Sequence, residues 1–335
     1  MRVRRRFGLA VGLSAALVVS ACAGSGAGST AGSAAGSANA SAAAAVTTID
    51  TTFGTVEVPT EPAAALGFYT TDLDMLITLG YPLASEQPIR DDYSTFPSFF
   101  PQEALAGVTG FHNYPEFNFE KVLAVGPDFI LNGLGYEDGL HQRLSAIAPT
   151  YTYNAFADNA DWRDSFRQLS ADLGRTEQYQ AWVDTYQARV DEVRGKLDAA
   201  GIHPVVADVA YWDGQINVGC YGLPCLVFND LGLSITPVAD SDGDGRGDTT
   251  GRKLTLEQVG ELSGIDVMFT QGSPAADGTI SGTVADEPTL AASSLWQSLP
   301  AVQSGAIHPY DYEMIYGSPS GQLAYLSVVE KALLG

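Results

Sequence analysis

The chain has 335 residues and a formal net charge of −22, with 39 Asp and Glu against 17 Lys and Arg. Its 45% apolar and 10% aromatic content can fill packed interiors, which excludes disorder over the whole length, and 335 residues exclude a disulfide-stapled miniprotein. So large an acidic excess repels polyanions, which excludes nucleic acid as a partner.

The chain opens on Arg2, Arg4, Arg5 and Arg6, an apolar run from Phe7 to Val19, and then Val19-Ser20-Ala21-Cys22. The run is too short to span a bilayer, and small residues leading into a cysteine form a lipobox. Residues 1–21 are therefore expected to be a secretory signal cut before Cys22, whose thiol then carries diacylglycerol. The cut removes four Arg and no acid, leaving −26, so lipid rather than a basic face must hold the protein at the outer side of the cell membrane. Residues 22–45 are almost wholly Gly, Ser, Ala and Thr and read as a flexible tether.

From residue 46 on, helical periods alternate with short apolar runs, the pattern of an α/β fold with largely parallel sheets. Thr48 to Val58 reads as a hairpin around Gly54 and Ala64 to Phe68 as a strand. Leu73, Leu76, Ile77 and Leu79 form a helix face ended by Gly80. Asn118 caps a short helix through Val122 and Leu123, Pro127 to Leu131 follows as a buried strand, and Thr150 to Tyr153 closes this half. Trp162, Phe166, Leu169, Leu173, Tyr179, Trp182, Val183, Tyr186, Val190, Val193 and Leu197 recur at steps of three and four, predicting one long helical stretch kinked at Gly174. Alternation then resumes over Val205 to Trp212, Leu226 to Leu231, Leu256 to Leu262, Asp266 to Phe269 and Ala306 to Tyr310, before a last helix from about Ser320 to Leu334.

Two cysteines remain after Cys22. In Cys220-Tyr221-Gly222-Leu223-Pro224-Cys225 the even count, the oxidising compartment and the turn residues favour a disulfide over a metal site, which would have no His nearby. Asp240, Asp242, Asp244 and Asp248, with Gly at position six, repeat the start of a calcium loop. Gly251 stands where the bidentate acid should be, so a solvated acidic turn is the rival reading. For catalysis there is no Gly-x-Ser-x-Gly elbow and no phosphate-cradling glycine loop. His112, His141, His203 and His308 lack metal-ligand spacing, which leaves a secreted hydrolase as a remote alternative and no cofactor to name.

The two halves rhyme. Asn118 to Leu123 leads to Asp128-Phe129-Ile130-Leu131, as Thr255 to Val259 leads to Asp266-Val267-Met268-Phe269, each with Glu in the first helical turn where the macrodipole favours a carboxylate. Pro115 to Ile130, Leu144 to Thr150 and Leu295 to Ile307, three motifs in order, resemble the substrate-binding lipoproteins of iron-siderophore ABC importers, the helical-backbone class of periplasmic binding proteins. The resemblance implies two lobes joined by one rigid helix with a ligand cleft between them: an N-terminal lobe over 46–160, a connecting helical region over 161–200 and a C-terminal lobe over 201–335. It implies a monomeric carrier that hands a ferric chelate to a permease and its ATPase and catalyses nothing. Relatives with the same framework carry haem or cobalamin instead. It also implies that Glu120 and Glu257, one per lobe, pair with Arg on the permease.

Position nominates the cleft residues: Tyr69 after the first long strand, Arg90, Tyr93 and Phe96 in a loop dense in aromatics, His112 and Tyr114 before the framework motif, Tyr136 after the strand Phe129 to Leu131, and Tyr211, Trp212, Gln271, Tyr312 and Tyr316 from the second lobe, most of them just beyond strand ends. Among these loops Arg90 is the one basic residue, joined by Arg246 and Arg252 if the acidic turn reaches in. A tris-catecholate iron complex carries about three negative charges and would call for several cations. Aromatic rings instead suit a neutral or cationic complex, so a hydroxamate siderophore is expected before a catecholate.

Overall fold

In the computed structural model, residues 45–155, 161–219, 222–240, 243, 251–275 and 277–335 are described. The signal segment, Cys22 and all but the last residue of the tether lie outside them, as do Cys220, Arg246 and, from the acidic turn, Asp242, Asp244 and Asp248.

An antiparallel hairpin, β1 (Val46–Thr51) and β2 (Gly54–Pro59), comes first, pairing Val46 with Pro59 and Thr51 with Gly54. The first lobe continues through β3 (Ala65–Gly67), α1 (Thr70–Thr78), β4 (Glu86–Arg90), β5 (Thr109–Tyr114), α2 (Phe119–Val125), β6 (Phe129–Asn132), α3 (Leu140–Ser145) and β7 (Thr150–Thr152). Strands β3, β6 and β7 run parallel in that spatial order, and β4 and β5 form a second parallel pair. Buried Gln87 of β4 joins the two sheets through its side chain, accepting from the Gly67 amide at 3.0 Å and donating to the Ala65 carbonyl at 2.8 Å. A Cβ on Gly67 would overlap the Leu73 amide, so only glycine lets α1 start this close to β3.

Between the halves stand α4 (Trp162–Asp172) and α5 (Thr176–Ala200), two helices where the periodicity predicts one kinked stretch. Gly174 adopts φ +66, a left-handed residue that ends α4 outright rather than bending it. The 25-residue α5 turns Trp182, Tyr186, Val190, Val193 and Leu197 into the core.

The second lobe holds β8 (Val205–Trp212), β9 (Gln215–Gly219), α6 (Leu223–Leu231), β10 (Ser234–Ile235), β11 (Arg252–Leu254), a 3-10 helix over Leu256–Gly264, and β12 (Val267–Pro274). After these come β13 (Ile280–Ser281), the short helices α7 (Pro288–Ala291), α8 (Ser294–Gln297) and α9 (Pro300–Gln303), β14 (Ile307–Asp311), a 3-10 turn over Tyr312–Tyr316, and α10 (Pro319–Leu334). Strands β10, β8, β12 and β14 are parallel, and β9, β11 and β13 add antiparallel edges. Leu226 to Leu231 lies within α6, whose start at Gly222 and Pro224 suits a helical first turn. One expectation changes here. Leu256 to Gly264 winds as a 3-10 helix, whereas its counterpart α2 is an α-helix.

The pseudo-repeat persists in the backbone. Asp128 accepts from the amides of Ala63 and Ala64, leading into β3, and Asp266 accepts from the amide of Val205 at the start of β8. One continuous apolar cluster runs from Phe129 and Leu131 through Trp162, Phe166 and Trp182 to Val206, Phe269 and Leu326, so the lobes share a core. Behind the cleft, buried Asp74 of α1 accepts from the amide and the hydroxyl of Ser320, each at 2.7 Å, where the N-terminal turn of α10 leaves donors unpaired. Trp162 donates to Gln322 at 2.9 Å and Trp182 to the Pro319 carbonyl at 3.1 Å, tying both connecting helices to the same turn.

Candidate functional site

Parallel strands of both lobes end at one place. Tyr69 follows β3, Arg90 ends β4, Tyr114 ends β5 and Asp311 ends β14, so their side chains meet where open α/β sheets hold ligands. Buried Arg90 is the centre. Its Nη1 donates to the Tyr69 hydroxyl at 2.8 Å, and its Nε lies 3.0 Å from Asp92 and 3.4 Å from Glu313 of the opposite lobe. The rings of Tyr114, Tyr312 and Tyr316 lie 5.1, 4.8 and 5.9 Å from its guanidinium carbon. Tyr69 meets Tyr114 and Tyr316 edge to face, and the hydroxyls of Tyr312 and Tyr316 bond to each other.

Carboxylates dominate the rest of this floor. Glu313 is 2% exposed and accepts from the Thr70 hydroxyl, while its Oε2 has no hydrogen-bond donor among the described residues. Burial pushes its pKa up to about 8; Arg90 pulls it down and Asp311 pushes it further up. Tyr93 donates across the cleft to Asp311, which also accepts from the Glu313 amide at 2.9 Å and is raised by burial against those bonds. With Asp92 at the rim, two acids face the guanidinium and Asp311 stands behind Glu313.

The other nominated residues are placed differently. Phe96 is buried with Leu73, Ile89, Phe100 and Leu105 in a small satellite core. His112 is exposed, with Nδ1 3.2 Å from the Arg90 carbonyl and 3.7 Å from Asp91. Tyr136 is 44% exposed beyond β6, and Trp212 is 75% exposed at the tip of the β8–β9 hairpin, where Asp213 takes φ +51. Tyr211 and Gln271 are half-buried, and the buried Gln271 Oε1 has no donor among the described residues. Arg252 bonds Glu261 at 2.6 Å on the outer face of the second lobe. Thus Tyr69, Arg90, Tyr93, Tyr114, Tyr312 and Tyr316 come together. Asp92, Asp311 and Glu313, which sequence reasoning passed over, complete the cluster; the signal available was two acids directly after the last predicted strand.

Glu120 and Glu257 are both exposed at the second position of their helices, behind the caps Asn118 and Thr255. Cys225 is disulfide-bonded. Among the described residues no group of three or more His, Cys, Asp or Glu is arranged to hold a metal ion, and no helix is long and apolar enough to cross a membrane.

Two lobes meeting at strand ends over a buried, ring-lined floor define a solute-binding protein. The chain belongs to the periplasmic binding protein family, whose model matches residues 90–312. It is 23% identical over 297 residues to YhfQ of Bacillus subtilis, named as an ABC transporter substrate-binding lipoprotein, covering 84% of this chain and 86% of that protein. It is likewise 23% identical over 259 residues, 76% of each chain, to YfiY of the same organism, named as a siderophore-binding lipoprotein. Its fold is similar to the crystal structure of Staphylococcus aureus SirA complexed with staphyloferrin B, with a TM-score of 0.66, 18% identity, and coverage of 86% of this chain and 98% of that one.

Proposed function

We propose that the protein captures a neutral or cationic ferric siderophore, of the hydroxamate type before the catecholate, in the cleft above Arg90 and delivers it to an ABC importer. The observation that carries the ligand class is the state of Arg90. Asp92 already pairs with its Nε, while Glu313, whose burial favours the protonated form, and Asp311 add two further acids to the floor, so the described residues offer an anionic chelate no spare cation. What it offers is ring faces, which pack an apolar chelate backbone and hold positive charge. The names of YfiY and YhfQ support the siderophore and importer readings. Exposed Trp212 and Tyr136 are assigned as outer contacts of the ligand, with His112, Tyr211 and Gln271 as further contacts. Glu120 and Glu257 dock the two lobes on the permease, Cys22 carries the lipid anchor, and Cys225 pairs with Cys220.

Titrating Trp fluorescence with ferrioxamine-like, ferrichrome-like and enterobactin-like complexes tests the ligand class. The first two should quench tightly and the tris-catecholate weakly. Tight binding of the catecholate alone would overturn the charge argument. Binding of haem or cobalamin alone would leave the importer role and remove the siderophore.

A further inference from the structure

This inference rests on the importer reading and asks what holds the protein on its permease beyond charge. Six large apolar side chains are exposed among the described residues, and two of them are leucines: Leu123 at 62% and Leu295 at 46%. Leu123 lies on α2 three residues after Glu120, on the same helical face. Leu295 lies on α8, which packs against the 3-10 helix that carries Glu257. In the second repeat the position matching Leu123 is Gly260, which has no side chain to offer, so the apolar contribution there comes from the neighbouring helix.

The electrostatics beside Glu120 name the partner's chemistry. A depression of about 490 Å³ is lined by Asp91, Glu116 and Glu120, with His112 and Arg143 as its basic residues. Arg143 lies over the Phe119 ring with its guanidinium carbon 3.4 Å from the centroid. The three acids of the depression outnumber Arg143, and it is wide enough to admit a cationic side chain. An exposed ion pair alone contributes little affinity, because both charges remain solvated. Apolar contact beside it excludes water and adds the burial that an ion pair lacks.

We propose that Leu123 and Leu295 are the apolar halves of two docking points, each of which presents one acid and one leucine to a basic residue flanked by apolar side chains on the outer face of the permease. Binding of the mature lipoprotein to the permease–ATPase complex in nanodiscs tests it, alongside a fluorescence titration with a ferric trihydroxamate. The double variant L123S/L295S should bind the complex about tenfold more weakly or worse, with ligand affinity and melting temperature unchanged. L123M/L295M, which keeps apolar side chains, should bind as the wild type does, and V46S on the distant hairpin should have no effect. Wild-type binding by L123S/L295S, or equal weakening by V46S, would overturn the proposal. The charge reversal E120R/E257R separates the layers. If it leaves docking intact while L123S/L295S weakens it, the acid reading fails and the leucines stand; if it alone abolishes docking, the leucines fail and the acids stand.

Discussion

Besides their shared apolar core, the two lobes meet in a polar contact at the back and another at the front, and the two are built differently. At the back, Asp74 meets the first turn of α10 through two donors from Ser320, and Trp162 and Trp182 donate to Gln322 and the Pro319 carbonyl. The acid sits where a helix N-terminus leaves unpaired donors, so charge and dipole agree. At the front, Arg90 is shared between Asp92 and Glu313, and Tyr93 bonds Asp311, leaving more carboxylate than cation in a buried space. A complete network fixes a joint, whereas an incomplete one leaves groups that a ligand can satisfy. The back therefore sets the geometry of the lobes, and the front keeps groups open to further bonding.

The largest test falls on the back. Asp74→Ala should cost about 2–4 kcal/mol, because it strips the α10 turn of its acceptor and leaves buried donors unpaired. Asp74→Asn, which keeps one acceptor, should cost about 1 kcal/mol. Gly317→Ala belongs with them: φ is +79 there, and a Cβ would overlap the Trp162 indole. Chemical denaturation measures all three. An Asp74→Ala protein unfolding at the wild-type denaturant concentration would show that the lobes are not fastened there.

The next effect comes from pH. Burial pushes Asp72 and Asp208 up to about 7 and Glu313 up to about 8, from ordinary values near 3.8 and 4.5. Each acid holds its proton more tightly folded than unfolded, so its contribution is complete below the ordinary value and is lost as pH rises through the folded one. Between pH 5.5 and 8.5 the melting temperature should fall by roughly 5 °C or more. Asp208→Asn, which cannot ionise, should flatten the second lobe's share. A melting temperature that rises over this range contradicts the sign.

These features also divide what the sequence made legible from what it hid. The cap Asn118, the strand from Phe129, the glycine ends of helices and the helical period of 176–200 are local signals, and each appears as read. Strand β4 was not readable, because its buried residues include Gln87 and Arg90, used for their hydrogen bonds rather than their apolar surface. Asp74 hides for the opposite reason. A carboxylate one residue after the helix-face Leu73 reads as solvated, and only the packing of α1 against α10, some 246 positions apart in sequence, buries it. Of the ring cluster, Tyr69, Tyr312 and Tyr316 are nominated by position beyond strand ends, Arg90 and Tyr93 by a loop dense in aromatics, and Tyr114 by its place before the framework motif. Phe96, nominated from that same loop, packs into a satellite core instead, since a loop aromatic also covers its own lobe.

On the cargo side, Trp212→Ala should weaken siderophore binding by about tenfold. It should change stability by no more than about 0.5 kcal/mol, since the ring is exposed and supports no core. Fluorescence from the remaining tryptophans and a thermal melt read the two effects separately. Equal affinity for variant and wild type removes the hairpin tip from the ligand site.

The smallest effect sharpens the contrast between front and back. Tyr93→Phe deletes one hydroxyl and keeps the ring, so packing in the loop after β4 is preserved. Asp311 loses one donor and keeps the Glu313 amide, and burial then raises it further toward its neutral form, which needs less solvation. The cost should be about 1 kcal/mol, the ordinary net worth of one hydrogen bond. Because the protonated acid tolerates the loss better, the cost should shrink as pH falls. Measured beside Asp74→Ala under one denaturant, Tyr93→Phe should be the milder change by at least twofold. If it proves the more damaging of the two, the cleft floor rather than the α10 turn holds the lobes together, and the division of labour between them reverses.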